Sequence, residues 1–177
     1  TVTLSTGQTI GIAAGATSGS VVVAAPGDDP YLDAGSVSRT IANSSGGGFE
    51  SLSIDGTAAT TSVSDTIDTT TATLTATPSV AEGGTITYTV SLTAPVTGSA
   101  VSVLLANGQT VTVPIGASSA SVTAIAPDNV HGGGASVANS IVSASGGNYE
   151  QLTPNTAPVS TTVTDDGDVT TVSLAAT

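Results

Sequence analysis

The stretch GQTIGIAAGATSGSVVVAAP at residues 7–26 recurs as GQTVTVPIGASSASVTAIAP at residues 108–127. The correspondence continues along the chain, where SSGGGFESL around Phe49 matches SASGGNYEQL around Tyr149. Self-similarity at a fixed period indicates tandem structural repeats, here with a period of about 100 residues.

The repetition also predicts the domain boundaries. The acidic pattern DTID at residues 65–68 returns as DDGD at 165–168, and TATLTAT at 71–77 returns as TVSLAAT at 171–177. The chain is therefore expected to be cut out of register with its repeats. We predict a partial repeat lacking its first two strands at 1–68, a complete repeat at 69–168, and the first strand of a following repeat at 169–177.

Within the complete repeat, apolar residues alternate with small polar ones, which is the period of half-buried strands. This pattern predicts strands near 71–80, 86–92, 101–105, 111–113, 119–126, 135–144 and 158–164, with a hairpin turn at Asn107-Gly108. Abundant Thr and Val, together with 21 glycines, disfavour helix. We predict an all-β fold of tandem immunoglobulin-like β-sandwich repeats of about 100 residues and seven strands each, with Tyr88 as the main core aromatic.

The charge balance limits the classes of partner. Thirteen acids face a single basic residue, Arg39, and the formal net charge is −12. Such a surface repels nucleic acid and anionic membranes, whereas cations are its natural counter-species. No apolar run approaches the roughly 20 residues of a membrane helix, and the chain has no cysteine for disulfides. We expect no nucleic-acid partner and no direct membrane insertion.

The number of strands that precede each loop, odd or even, predicts at which end of the repeat its acids lie; we call this strand parity. If each strand crosses the sandwich once, the SVAEGG turn, the PDNVHGGG loop and the exit of the last strand share one end of the repeat. The same parity groups the loop and linker acids of the first copy, and it places Glu150 at the opposite end, facing the linker before its repeat. The grouped acids are Glu82, Asp128, Asp165, Asp166 and Asp168 in the complete repeat, and Asp28, Asp29, Asp33, Asp65 and Asp68 in the first copy.

Crowded carboxylates repel one another unless a cation lies between them. Ca²⁺ suits such a group because it accepts about six to eight oxygen ligands in flexible geometry, whereas Mg²⁺ demands a stricter octahedron. Zinc does not suit a chain with no Cys and one His. The alternative is that these are solvated linker acids that supply solubility. We predict that Ca²⁺ binds at the repeat junctions and stiffens the array.

The segments SVAEGGTITYTVSLTAPV, LANGQTVTVPIGASSASV and SGGNYEQL, with the DTID linker, carry a family resemblance. Together they resemble the extender repeats of giant RTX-type biofilm adhesins of Gram-negative bacteria, the large adhesion protein family. The resemblance implies a structural extender that supports cell adhesion and biofilm formation, with neighbouring repeats as its contacts. It also implies type I secretion, an extracellular, outer-membrane-tethered location, and linkers made rigid by calcium. By matching position, that calcium role falls on Asp65, Asp68, Asp165, Asp166 and Asp168.

Two other functions stay open on the sequence. One is a calcium-dependent carbohydrate- or surface-binding module that uses loop tyrosines. The other is a self-associating filament or surface-layer subunit, because the partial repeat has an incomplete core. Residues 169–177 of a neighbour supply a first missing strand but not a second, and a preceding part of the native chain is expected to supply both. Catalysis is not expected, since His131 is the only histidine and no GxSxG motif is present.

Overall fold

The computed structural model describes residues 1–176, and these residues form strands, turns and loops without a helix. The prediction of an all-β fold is confirmed. None of the described residues lies in a helix long and apolar enough to cross a membrane. The chain divides into two compact units: unit 1 comprises Thr1–Asp29 and Asp33–Thr66, and unit 2 comprises Pro30–Leu32 and Ile67–Thr177.

Unit 1 contains five short strands. Strands β1, β2 and β4 form one sheet in the order β2-β1-β4, and β3 pairs with β5 in a second. All of these pairings are antiparallel. The strands are β1 (Val2–Leu4), β2 (Thr9–Ile10), β3 (Gly35–Arg39), β4 (Ile41–Ser44) and β5 (Ala59–Val63).

Unit 2 contains the larger set of strands. They are β6 (Thr69–Ala76), β7 (Ser79–Ala81), β8 (Thr85–Leu92), β9 (Val101–Leu105), β10 (Thr110–Val113), β11 (Ser119–Ile125), β12 (Ala135–Asn139), β13 (Ile141–Ser145), β14 (Gln151–Pro154) and β15 (Val159–Thr164). One sheet has the order β11-β8-β6-β14, and the remaining strands form β10-β9-β13 and β12-β15-β7. The pairings of β14 with β6 and of β15 with β7 are parallel, and the others are antiparallel.

Three details of unit 2 differ from the predicted strands. The strand predicted at 71–80 is interrupted before Ser79, and its two parts pair in different sheets, β6 with β8 and β7 with β15. Pro78 lies at this interruption, and proline has no N–H for a strand ladder. The strand predicted at 135–144 divides at Ser140, and β14 was not predicted.

Alternate residues of the central strands form the core of unit 2. Ile86, Tyr88 and Val90 of β8 are at most 1% exposed, as are Val101 and Val103 of β9. Tyr88 is thus a core aromatic, as its alternating position predicts. The predicted hairpin is also present, since β9 and β10 pair antiparallel across the Asn107-Gly108 turn.

The strand pairs of unit 1 have the same register, residue for residue, as the corresponding strand pairs of unit 2. Val2 pairs with Ile10 in unit 1, and Val103 pairs with Val111 at the corresponding position of unit 2. The register irregularity between β1 and β4 recurs between β9 and β13. The sequence repeat is therefore a repeat of backbone pairing.

Candidate metal centre

Three segments of unit 2 meet at the candidate metal centre. They are the turn after β7 with Glu82, the loop after β11 with Asp128, and the chain that leaves β15. The backbone N–H of Glu82 donates to the Thr164 carbonyl oxygen at 2.8 Å, and that of Gly83 donates to the Pro127 carbonyl oxygen at 3.4 Å. Main-chain hydrogen bonds from one turn therefore position the other two segments.

Five carboxylates are grouped at this point. One oxygen each from Glu82, Asp165 and Asp166 lie within 4.8 Å of one another, and so do oxygens from Asp128, Asp166 and Asp168. Asp166 belongs to both groups. Ligand oxygens at about 2.3–2.6 Å from one Ca²⁺ are separated by at most about 5 Å. Each group is therefore close enough to share a cation.

Glu82 is the buried member of the group, with only 5% of its surface exposed. Its Oε1 accepts a hydrogen bond from Asn129 Nδ2 at 3.1 Å. Its Oε2 is buried without a hydrogen-bond partner among the described residues. A buried carboxylate oxygen left unpaired is costly, and a cation ligated by this oxygen removes that cost.

Repulsion from the neighbouring carboxylates disfavours the charged form of Asp168. The Asp166 carboxylate raises the pKa of Asp168 above its ordinary value, and desolvation, Asp128 and Asp165 add to the effect. Asp165 is held by backbone donors, with its Oδ2 accepting from Gly133 N–H and its Oδ1 from Gly167 N–H, both at 3.3 Å. The site therefore concentrates negative charge on a fixed scaffold.

A family model described as LapA domain matches residues 1–66 and, separately, residues 68–166. The chain belongs to the LapA domain family. It is accordingly part of a LapA-type large adhesin, with a role related to adhesion and biofilm and a cell-surface location. No curated protein and no solved structure matches the chain.

The first LapA match contains the counterparts of these acids in unit 1. Asp65, which corresponds to Asp165, accepts from the backbone N–H groups of Asp33 at 3.1 Å and Ala34 at 2.8 Å. Thr66 stands where the second LapA match has Asp166, and its hydroxyl donates to Asp28 Oδ1 at 2.7 Å.

The acids of this first LapA match are less closely grouped. Asp29 is the main cause that raises the pKa of Asp33, with desolvation, Asp65 and Asp28 contributing less. Asp28, Asp33 and Asp65 line a pocket of about 540 Å³. Among residues 1–176, however, the groups of three acids that approach within 4.8 Å lie in unit 2. The two LapA matches therefore offer unequal acid groups.

Asp68 and Glu150 make a separate contact within unit 2. Glu150 Oε2 accepts a hydrogen bond from the Asp68 backbone N–H at 2.5 Å, and Glu150 Oε1 is buried without a hydrogen-bond partner among the described residues. Neither residue belongs to the two groups of three acids. The Glu150 carboxylate thus binds the backbone of Asp68, the first residue of the second LapA match.

Sequence reasoning did not identify Asn129, which holds Glu82 in place. The signal available was its position directly after Asp128 in the PDNVHGGG loop. The Asn129 side chain also accepts a hydrogen bond from the His131 backbone N–H at 2.9 Å, through its Oδ1. One amide therefore links Glu82 to the loop, and the His131 side chain is exposed.

Proposed function

We propose that this chain is an extender of its adhesin whose second LapA match binds Ca²⁺ at the end of the sandwich and is stiffened by it. The observation that carries the proposal is the burial of Glu82, which belongs to a group with Asp165 and Asp166 and whose Oε2 has no hydrogen-bond partner within residues 1–176. Solvated surface acids would not need a buried member.

The donor set favours calcium over other cations. The grouped ligands are all carboxylate oxygens, contributed by Glu82, Asp128, Asp165, Asp166 and Asp168. Hard oxygen ligands suit Ca²⁺, and a set drawn from three separate segments suits its flexible geometry better than the strict octahedron of Mg²⁺. Because Asp166 is shared between the two groups, the site accommodates one ion or an adjacent pair.

Stiffening follows from where the ligands lie along the chain. Glu82 and Asp128 belong to the folded sandwich, whereas Asp165, Asp166 and Asp168 follow its last strand, β15. A cation shared by these residues ties the departing chain to the sandwich end and restricts its direction. We infer that this constraint lets successive repeats extend as a rod, and that the extracellular calcium of a type I-secreted RTX-type adhesin supplies the ion.

The aromatic residues favour a spacer over a sugar-binding module. A sugar platform needs an exposed aromatic face, but Tyr149 is only 6% exposed and its ring is stacked on Tyr31. Phe49, the counterpart of Tyr149 in unit 1, is 68% exposed. It lies outside both groups of acids.

Calcium titration of the full chain tests the proposal. We expect Ca²⁺ to raise the melting temperature relative to chelator, since a ligand at about 100 times its Kd adds about 2.7 kcal/mol to stability. Glu82→Gln should weaken calcium affinity at least about tenfold while leaving the fold intact in chelator. The matched control is Asp55→Asn, because Asp55 is exposed and outside both acid groups.

The stiffening is measured separately. Backbone order parameters at residues 165–176 should rise when Ca²⁺ is added to the wild-type chain and should not rise in Glu82→Gln. An unchanged melting transition with Ca²⁺ contradicts the calcium site. If Ca²⁺ raises the melting temperature but leaves these order parameters unchanged, the calcium site stands and the stiffening mechanism is contradicted.

A further inference from the structure

Three residues of the first LapA match fold as part of unit 2. The family model matches residues 1–66 as one copy. Within that copy, Pro30–Leu32 belong to unit 2, whereas the residues on either side of them belong to unit 1. The chain therefore passes between the two units at three places: before Pro30, after Leu32 and after Thr66. A simple boundary between consecutive repeats needs only the last of these.

The backbone of Pro30–Leu32 is bonded to residues 148–150 of unit 2. Leu32 N–H donates to the Asn148 carbonyl oxygen at 3.0 Å, and Asn148 Nδ2 donates to the Leu32 carbonyl oxygen at 3.2 Å. Glu150 N–H donates to the Pro30 carbonyl oxygen at 3.1 Å. Proline has no N–H of its own to satisfy. Every backbone donor and acceptor of Pro30 and Leu32 therefore has a partner within unit 2.

Tyr31 supplies the side-chain part of this contact. Its ring stacks on the ring of Tyr149, and its hydroxyl donates to the Pro95 carbonyl oxygen. The Tyr149 hydroxyl in turn donates to the neighbouring Ala94 carbonyl oxygen. A phenol combines a flat apolar face for stacking with a hydroxyl donor at its end. This surface of unit 2 therefore suits an extended Pro-Tyr-Leu sequence.

The corresponding loop of unit 2 does not carry such a segment. Residues 26–34 read PGDDPYLDA and precede β3, whereas residues 127–134 read PDNVHGGG and precede β12. The second loop has no tyrosine, and all of its residues are exposed. The Pro-Tyr-Leu sequence is therefore not needed to connect these strands of a repeat, and its contacts with unit 2 give it a separate role.

Glu150 connects the bound segment to the start of the second LapA match. Its backbone N–H donates to Pro30, and its Oε2 accepts a hydrogen bond from Asp68 N–H. Asp68 and Glu150 both lie outside the two groups of three acids. The contacts that hold Pro30–Leu32 are hydrogen bonds and ring stacking, and none of them requires a cation.

We propose that Ala94–Pro95 and Asn148–Glu150 form a docking surface for a Pro-Tyr-Leu segment in a loop of the preceding repeat, and that the docked segment links the two repeats without calcium. The segment leaves unit 1 after Asp29, pairs with unit 2 at Tyr31, and returns to unit 1 at Asp33. Because it belongs to the same chain, it docks intramolecularly at a high effective concentration. This link is independent of the carboxylates around Glu82.

Nuclear magnetic resonance of the full chain in chelator tests the proposal. The Leu32 and Glu150 amide protons should exchange at least about tenfold faster in Tyr31→Ala than in the wild type. Unchanged chemical shifts in β8 and β9 would show that unit 2 remains folded. The rotational correlation times of the two units, obtained from spin relaxation, should agree in the wild type and differ in Tyr31→Ala.

Three further variants sharpen this test. Tyr31→Phe keeps the stacked ring and loses only the hydroxyl bond, so its amide exchange should lie between those of the wild type and Tyr31→Ala. The matched control is Val130→Ala, at an exposed residue in the corresponding loop of unit 2, which should behave as the wild type. Glu82→Gln should also behave as the wild type, so the result does not depend on the calcium site.

Four results would overturn the proposal. Unchanged exchange of the two amides in Tyr31→Ala would contradict the docking surface. Faster exchange with correlation times that still agree would show that the segment docks without linking the units. Protection of the two amides that appears only with Ca²⁺ would contradict a calcium-independent link. Protection that rises with protein concentration would assign the surface to the loop of a second copy.

Discussion

The ring of Tyr31 stacks on the ring of Tyr149 in unit 2, with centroids 5.6 Å apart and planes inclined by 25°. The Tyr31 hydroxyl donates to the Pro95 carbonyl oxygen at 2.7 Å, and the Tyr149 hydroxyl donates to the Ala94 carbonyl oxygen at 2.9 Å. Each ring is therefore held by the stacking contact and by the hydrogen bond that its hydroxyl group donates.

The backbone around this pair is also bonded. Leu32 N–H donates to the Asn148 carbonyl oxygen at 3.0 Å, and Glu150 N–H donates to the Pro30 carbonyl oxygen at 3.1 Å. Tyr31 and Tyr149 form an antiparallel bridge between these bonds. The segment Pro30–Leu32 therefore acts as an extra strand of unit 2.

Tyr31→Ala is expected to lower the free energy of unfolding of unit 2 by about 2 kcal/mol. An aromatic pair contributes about 0.5–1.5 kcal/mol beyond its buried area, and the lost hydroxyl bond adds to this. Urea unfolding measures the change. The control is Phe49→Ala, at the exposed counterpart of Tyr149, which should change stability by less than about 0.5 kcal/mol. Equal effects of the two substitutions would contradict a stabilising stack.

Unit 2 is expected to lose stability in alkaline solution through Tyr149. Burial, with a smaller contribution from Tyr31, raises the pKa of Tyr149 above 10.0. The folded state therefore favours the protonated phenol, and this contribution is present below the unfolded pKa of about 10 and lost as pH rises through the folded pKa. Urea unfolding at pH 9 and pH 11 should show a smaller pH-dependent loss in Tyr149→Phe than in the wild type. An identical loss would show that Tyr149 does not titrate in this way.

Local periodicity was sufficient to predict part of this structure. Alternation predicted Tyr88 as a core residue, and the Asn-Gly pair predicted the turn at Gly108, because both signals are confined to a few neighbouring residues. Strand parity also anticipated which loops approach Glu82, since it depends only on how often the chain crosses the sandwich.

The features that were not predicted depend on tertiary neighbours. The parallel pairing of Gln151–Pro154 with β6 requires a partner about 80 residues away in sequence. Asn129 is recognisable only once Glu82 is known to be buried beside it. The contact of Tyr31 with Tyr149 joins segments that no period of the sequence relates.

Thr70→Val is expected to stabilise unit 2 by about 1 kcal/mol. Thr70 is fully buried in β6, and its hydroxyl has no hydrogen-bond partner among residues 1–176. Replacing the hydroxyl by a methyl group removes an unsatisfied polar atom at nearly constant volume. The matched control is Thr161→Val, because the equally buried Thr161 hydroxyl donates to the Thr77 carbonyl oxygen at 2.7 Å. Thr161→Val should destabilise unit 2 by about 1 kcal/mol. Thermal unfolding measures both changes, and a change of stability in the same direction for the two variants would contradict the different roles of the two hydroxyl groups.

Gly146→Ala is expected to destabilise unit 2 more than Gly46→Ala destabilises unit 1, although the two glycines are repeat counterparts. Both have positive φ, +98° at Gly146 and +87° at Gly46, so each substitution adds about 1 kcal/mol of backbone strain. A Cβ at Gly146 would also overlap the Ala100 carbonyl oxygen, whereas a Cβ at Gly46 meets no atom within 4 Å. The backbone of β9 must shift to relieve that overlap, so the total cost at Gly146 should reach about 3 kcal/mol or more. Hydrogen exchange resolved to each unit measures the two losses separately, and equal losses would show that strain at φ, rather than the close approach to Ala100, sets the requirement for glycine.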